Sequence, residues 1–300
     1  MKKEIYKLLG KFEENKDLNL KEIRNEEFED YTRKLIEYNV NSNERVQSYL
    51  LIPKQNKSIY PAILAIHQHA GNWNIGKAEV VGLTDNDMYS YGLDLVKRGY
   101  VVIAPDIICF ESRQGEGEYK EDREGQKAFE RFMFCDYLVN GSTLQTKTLH
   151  DLSVAIDVLC SLSYVDKDNI GAIGHSLGGQ ETIWIEWVDE RIKVGASSCG
   201  VSMITDIINN KILHNFYMYV PNMLEVCDMD QIIKDIVSQR KLIISSGLQD
   251  ERHFPLSGIE KIEETNKDNN NFVSIKFDDG HKLNNNEKNI IYNFLDNNLK

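Results

Sequence analysis

The stretch Asn169-Ile170-Gly171-Ala172-Ile173-Gly174-His175-Ser176-Leu177-Gly178-Gly179, continued by Gln180-Glu181-Thr182-Ile183-Trp184-Ile185-Glu186-Trp187, decides how the chain is read. Its first five residues are an apolar run of strand character. Its last eight read as a helix. Strand, G-x-S-x-G, helix is the setting of a nucleophile elbow, in which the serine sits on a sharp, strained turn above a sheet. Gly174 and Gly178 leave room where strand and helix crowd together, and Gly179 lets the helix pack close to the sheet. The helix N-terminus adds unpaired N–H groups and a partial positive charge beside Ser176.

Working outward, the 300 residues suit one α/β domain with insertions, and 41% hydrophobic residues supply a sizeable core. The formal net charge of −12 disfavours nucleic acid or an anionic membrane surface as partner. Cys109, Cys135, Cys160, Cys199 and Cys227 are odd in number and form no C-x-x-C pair. Reduced thiols in the cytosol are expected. Met1 to Lys7 holds no apolar run of signal-peptide length, and no stretch has the ~20 apolar residues of a membrane span.

In residues 1–28, Ile5, Leu8, Leu9 and Phe12 have helical spacing, which predicts an amphipathic helical extension. Tyr31–Val40 and Arg45–Pro53 read as a hairpin. From residue 61 strands alternate with helices. The expected strands are 62–67, 100–106, 193–199, 241–246 and 272–277, with helices over 88–98, 144–162 and 289–299. This alternation predicts a mostly parallel central sheet with helices on both faces. Two stretches interrupt it, 107–143 and 200–238. Both start at carboxyl ends of strands, where ligands of open α/β sheets bind, so both are expected to be lid-like insertions. Tyr217 and Tyr219, in an aromatic run of the second, are candidate substrate contacts.

A serine nucleophile needs a base, and the base needs an orienting acid. In such a fold the chain order is serine, acid, histidine. Asp250 follows the strand 241–246 directly, with Glu251 its nearest competitor. His253 and His281 lie late in the chain. His281 comes after a further strand and Gly280, which places it as the base. The oxyanion hole needs one N–H from Leu177 and one from the loop after strand 62–67, where His69 is the candidate. His67 and His69 form an H-x-H pair that could bind a metal. No nearby carboxylate or cysteine completes a ligand set, so neither metal nor cofactor is expected.

Ser48 to Pro53, Ile66 to His69, Ala104 to Asp106, Ile173 to Gly179, Gly247 to Asp250 and Asp279 to His281 together resemble the α/β-hydrolase superfamily. The branch is that of dienelactone hydrolases, acetyl-esterase-like enzymes and the catalytic domain of prolyl oligopeptidases. The resemblance runs from about residue 45 to 300 and implies Ser176, Asp250 and His281 as a triad. Ser176 departs from the cysteine of dienelactone hydrolases proper, and Gln68 stands where related hydrolases often carry glycine. The implied activity is hydrolysis of a small-molecule carboxylic ester or lactone through an acyl-enzyme on Ser176. A peptidase or amidase with the same triad is the alternative, followed by a non-catalytic hydrolase-fold binding protein. Activity on anilides against p-nitrophenyl esters separates the first two. Oligomeric state and physiological substrate are not written in these residues.

Overall fold

The computed structural model describes residues 1–13 and 17–300. Its strands are β1 (Lys21–Glu27), β2 (Tyr31–Asn39), β3 (Arg45–Pro53), β4 (Tyr60–Ile66), β5 (Val101–Pro105), β6 (Val165–His175), β7 (Ile192–Ser198), β8 (Lys241–Gly247) and β9 (Phe272–Phe277). They form one sheet in the order β1-β2-β3-β5-β4-β6-β7-β8-β9. β1, β2, β3 and β5 pair antiparallel; β5, β4, β6, β7, β8 and β9 pair parallel. The central strands are apolar on both faces because helices cover both. Residues 62–66 of β4 are fully buried.

The N-terminal reading is corrected in part. The helix Lys2–Leu9 forms and buries Ile5 and Leu9. Residues 21–27 are a strand at the sheet edge instead of a helix. Their sequence, Lys-Glu-Ile-Arg-Asn-Glu-Glu, has no apolar face, because almost all of β1 is exposed. Such a charged edge also discourages pairing with another chain. Residues 14–16 of that expected extension lie outside the described residues.

Within 107–143 the helix Arg123–Val139 stands on a turn fastened by charge. The buried Asp106 carboxylate at the end of β5 accepts from Lys77 Nζ at 2.7 Å and from the Ser112 N–H at 3.1 Å. Arg113 reaches Asp151 at 2.7 Å, on the helix Leu144–Ser161, and Glu44 in the β2–β3 turn. Lys147, whose side chain is fully buried, also reaches both carboxylates. Burial alone would raise the Glu44 carboxyl, but Arg113 and Lys147 outweigh it and hold it at about 2, below its ordinary 4.5. Its contribution to stability is therefore present above pH 4.5 and lost as pH falls through about 2. Replacing Arg113 by methionine strands buried carboxylates, and should cost about 3 kcal/mol in urea unfolding.

The elbow shows why glycine is required where it stands. A Cβ on Gly174 would overlap the backbone of Gly178, and one on Gly178 would overlap the Ile66 carbonyl oxygen. Strand β6, the helix Leu177–Val188 and the end of β4 thus meet backbone to backbone. Gly178→Ala should abolish the soluble fold or lower its melting temperature by at least several degrees. Gly141, with φ of 76° but nothing near its missing Cβ, is the control. Gly141→Ala should cost only about 1 kcal/mol, from backbone strain alone.

Candidate active site

Ser176 stands between β6 and the helix Leu177–Val188 with φ 56° and ψ −118°, a region that L-residues rarely adopt. Its N–H donates to the Ser198 carbonyl at 2.8 Å, and its carbonyl accepts from the Gln180 N–H at 2.9 Å. The turn is thereby held from both sides. Ser176 lines a cavity of about 440 Å³. Around it stand His69, Trp73, Glu130, His214, His253 and His281.

Asp250 comes from the turn after β8 and is 3% exposed. Its carboxylate serves two imidazoles. Oδ2 accepts from His281 Nδ1 at 2.6 Å, and Oδ1 accepts from His253 Nδ1 at 2.7 Å. The two rings lie 4.5 Å apart, centroid to centroid. Burial raises the Asp250 carboxyl, but the bonds from His253 and His281 outweigh it and hold it below its ordinary value. With Nδ1–H given to Asp250, each imidazole keeps Nε2 as an acceptor. The side chain of His253 is 53% exposed, that of His281 only 20%. His281 is also flanked by His175 at 4.7 Å and by Phe254, stacked at 5.9 Å. Glu251, the competing acid, accepts no bond from either ring; its carboxylate accepts from the Leu256 N–H at 3.2 Å.

The loop after β4 is fixed by its side chains. His67 is fully buried, accepts from the Ile107 N–H at Nε2 and donates from Nδ1 to the Gln68 carbonyl. Burial pushes this imidazole down to about 4, so it stays neutral. Gln68 turns away from the cavity and donates to Glu79 at 2.9 Å. His69 Nδ1 accepts from the Gly71 N–H at 3.0 Å, so Nε2 carries the proton toward Glu130 at 3.0 Å. Glu130 also accepts from Trp73 Nε1 at 2.7 Å. Both imidazoles of the H-x-H pair are thus taken up by hydrogen bonds. The His69 N–H has no partner among the described residues, and Leu177 N–H, first in its helix, has none within the helix.

One cluster of metal-capable atoms occurs among the described residues, Cys199 with Asp250 and His281, all within 4.8 Å. It does not fit a metal. Asp250 and His281 are spent on each other, and burial pushes the Cys199 thiol well above its ordinary range, so no thiolate is offered.

The structure does not bring Tyr217 or Tyr219 into this cavity, which corrects the expectation of direct substrate contact. Tyr217 is fully buried, and its hydroxyl donates to the Ile108 carbonyl at 2.6 Å. Within the aromatic run 216–219, Tyr217 packs against Phe110 and Phe216 stacks on Phe134. Tyr219 lines a separate groove and accepts the His214 N–H at 3.1 Å. The residues of that segment that reach the cavity are Ile212, Leu213, His214, Asn215 and Phe216. Sequence reasoning passed over His214, although a third histidine after Ser176 was its visible signal.

A serine at an elbow, histidine paired with a buried acid and a sheet of this order define a serine hydrolase of the α/β-hydrolase fold. The prolyl oligopeptidase family model matches residues 139–300, more than half of the chain, and the chain belongs to that family. It is 29% identical over 265 residues to YtaP of Bacillus subtilis (strain 168), a hydrolase by name, covering 87% of this chain and 84% of that protein. Two solved structures share the fold. One, from Bacteroides fragilis NCTC 9343, is described as an acetyl xylan esterase; its TM-score is 0.72 at 17% identity, over 92% of this chain and 74% of that one. The other is a glucuronoyl esterase from Solibacter usitatus, TM-score 0.67 at 16% identity, over 99% and 91%. Among the described residues, no helix is long and apolar enough to cross a membrane.

Two variants separate the late histidines. His281→Ala should lower kcat on the order of 10³-fold or more, since triad members act as a unit. His253→Ala should keep most of the turnover. The reverse pattern would assign the base to His253. Tyr217→Phe should lower stability by about 1–3 kcal/mol, through the buried carbonyl left unpaired, and leave the ranking of ester substrates unchanged.

Proposed function

We propose that this chain hydrolyses a small-molecule carboxylic ester or lactone through an acyl-enzyme on Ser176. The observation that carries the reading is the buried Asp250 bonded to His281 at 2.6 Å, in a cavity wall shared with the strained Ser176. His281 Nε2 takes the serine proton as Oγ attacks the carbonyl carbon. Asp250 holds the ring in that tautomer and stabilises the imidazolium that forms. The N–H groups of Leu177 and His69 receive the developing oxyanion. His281 then gives the proton to the leaving alkoxide. Water, activated by the same imidazole, releases the acid and frees Ser176.

The segments 107–143 and 200–238 are read as wall-forming insertions of one hydrolase domain. Both contribute to the cavity, through Lys127 and Glu130 and through residues 212–216. The esterase names of the two fold neighbours favour an ester; the family name favours a peptide as second reading. The five cysteines are free, which supports a reducing, cytosolic setting.

A fluorophosphonate should label Ser176 alone in intact protein. Ser176→Ala should fold as the parent does, resist the probe and lose p-nitrophenyl acetate turnover. Labelling at another residue, or an active alanine variant, overturns the reading. Faster cleavage of a p-nitroanilide than of the matching ester would move the assignment to the peptidase.

A further inference from the structure

His214 stands on the segment between β7 and β8, in the cavity wall. Its ring lies 4.7 Å from Phe254, centroid to centroid, and Phe254 in turn stacks on His281. Phe254 thus links His214 to His281, the proposed donor of the leaving group's proton. The His214 backbone is fastened by the bond to the Tyr219 hydroxyl.

A chain of side chains behind His214 determines which nitrogen carries its proton. Glu181, fully buried, accepts from Gln145 Nε2 at 2.6 Å and from Gln180 Nε2 at 2.9 Å. Gln180 thus has its carbonyl oxygen left for Asn215, whose Nδ2 donates to it at 3.3 Å. The same NH₂ donates its second hydrogen to His214 Nδ1 at 2.8 Å. An imidazole that accepts at Nδ1 carries its proton at Nε2. His214 Nε2 has no partner among the described residues, yet it is not among the nitrogens sealed from solvent. Burial, then the nearby His253 and His281, push this imidazole down to about 3, so it remains a neutral donor.

We propose that His214 Nε2–H donates a hydrogen bond to an oxygen on the alcohol portion of the substrate, its tautomer fixed by the Glu181–Gln180–Asn215 chain. The inference rests on the ester-hydrolase reading and deepens it. In the ester-hydrolase reading the scissile carbonyl oxygen is received by the N–H groups of His69 and Leu177. The oxygen that meets His214 is therefore a further hydroxyl or ether oxygen, so the favoured substrates are esters of polyols rather than of simple alkanols.

Glyceryl monoacetate and ethyl acetate share an acyl group and differ in the extra hydroxyls. His214→Phe should lower kcat/KM roughly tenfold or more on glyceryl monoacetate and little on ethyl acetate. His214→Gln, which can offer an N–H of similar reach, should recover most of the loss. Equal losses on both acetates, or no loss on either, overturn the proposal. Burial pushes the Glu181 carboxyl up to about 8, so nitrogen-15 spectra of histidine-labelled protein are recorded at about pH 9, where it is ionised and can only accept. The wild type should show His214 protonated at Nε2. Asn215→Asp, which offers only acceptors, should move the proton to Nδ1. A wild-type Nδ1–H signal overturns the assignment. If the wild type hydrolyses no acetate, including p-nitrophenyl acetate, the ester reading falls while the spectrum still decides the tautomer.

Discussion

The backbone of Ser176, held at φ 56°, is the constraint on which the rest of the site depends. A non-glycine residue there costs about 1–3 kcal/mol and persists only where its surroundings over-determine it. Here they do. The serine N–H is fixed to β7 through Ser198, and its carbonyl starts the helix Leu177–Val188. That helix is buried along nearly its whole length, with Trp184 and Trp187 among the largest buried side chains. It cannot swing away to relax the turn. The glycines at 174 and 178 are the other half of the same constraint, since the backbones they bring together leave no room for a methyl group.

Behind the serine, the polar groups form a connected set rather than isolated pairs. His175 Nδ1 meets Ser198 Oγ at 3.0 Å, and Ser198 donates to Glu287 at 2.9 Å. Ser245 donates to the same Glu287 oxygen. Burial pushes the Glu287 carboxyl up to about 7, with the two serine hydroxyls opposing the rise. Burial also holds His175 well below its ordinary value, so the ring beside His281 carries no charge. No cation therefore stands behind His281, whose Nδ1 is held by the Asp250 carboxylate. The final helix, Asn285–Leu299, supplies Glu287 and so ties the end of the chain to the elbow.

What could be read from sequence was what depends on local pattern. The apolar runs of β4, β5 and β8, the turn after β8 and the glycines around Ser176 all declare themselves within a few residues. β1 did not, because an exposed edge strand needs no apolar alternation, and its pairing with β2 is a tertiary fact. Tyr217 departs from its expected place because an aromatic run has the same composition in a core as in a binding wall. Only the Ile108 carbonyl, distant in sequence, distinguishes the two. His214 was invisible as a donor for a similar reason. The chain that sets its tautomer joins residues 145, 180, 181 and 215, which no spacing rule connects.

The same limit explains the two late histidines. Sequence order places His281 after β9 and His253 one short turn beyond Asp250, and order alone favours the former. Geometry gives each one oxygen of the same carboxylate. The acid's charge is therefore divided, and what distinguishes the rings is how well each is held. His253 has the i, i+3 bond to Asp250 and a side chain more than half exposed. His281 has the equivalent bond and lies against both His175 and Phe254, with one-fifth of its side chain exposed. A base must stay in one orientation while Ser176 attacks, and lost rotamer freedom is the cost of that order. His281 is packed on more sides than His253, whose side chain is more open to solvent. That difference in preorganisation, rather than the hydrogen bond to Asp250, is what favours His281 in the proposed mechanism.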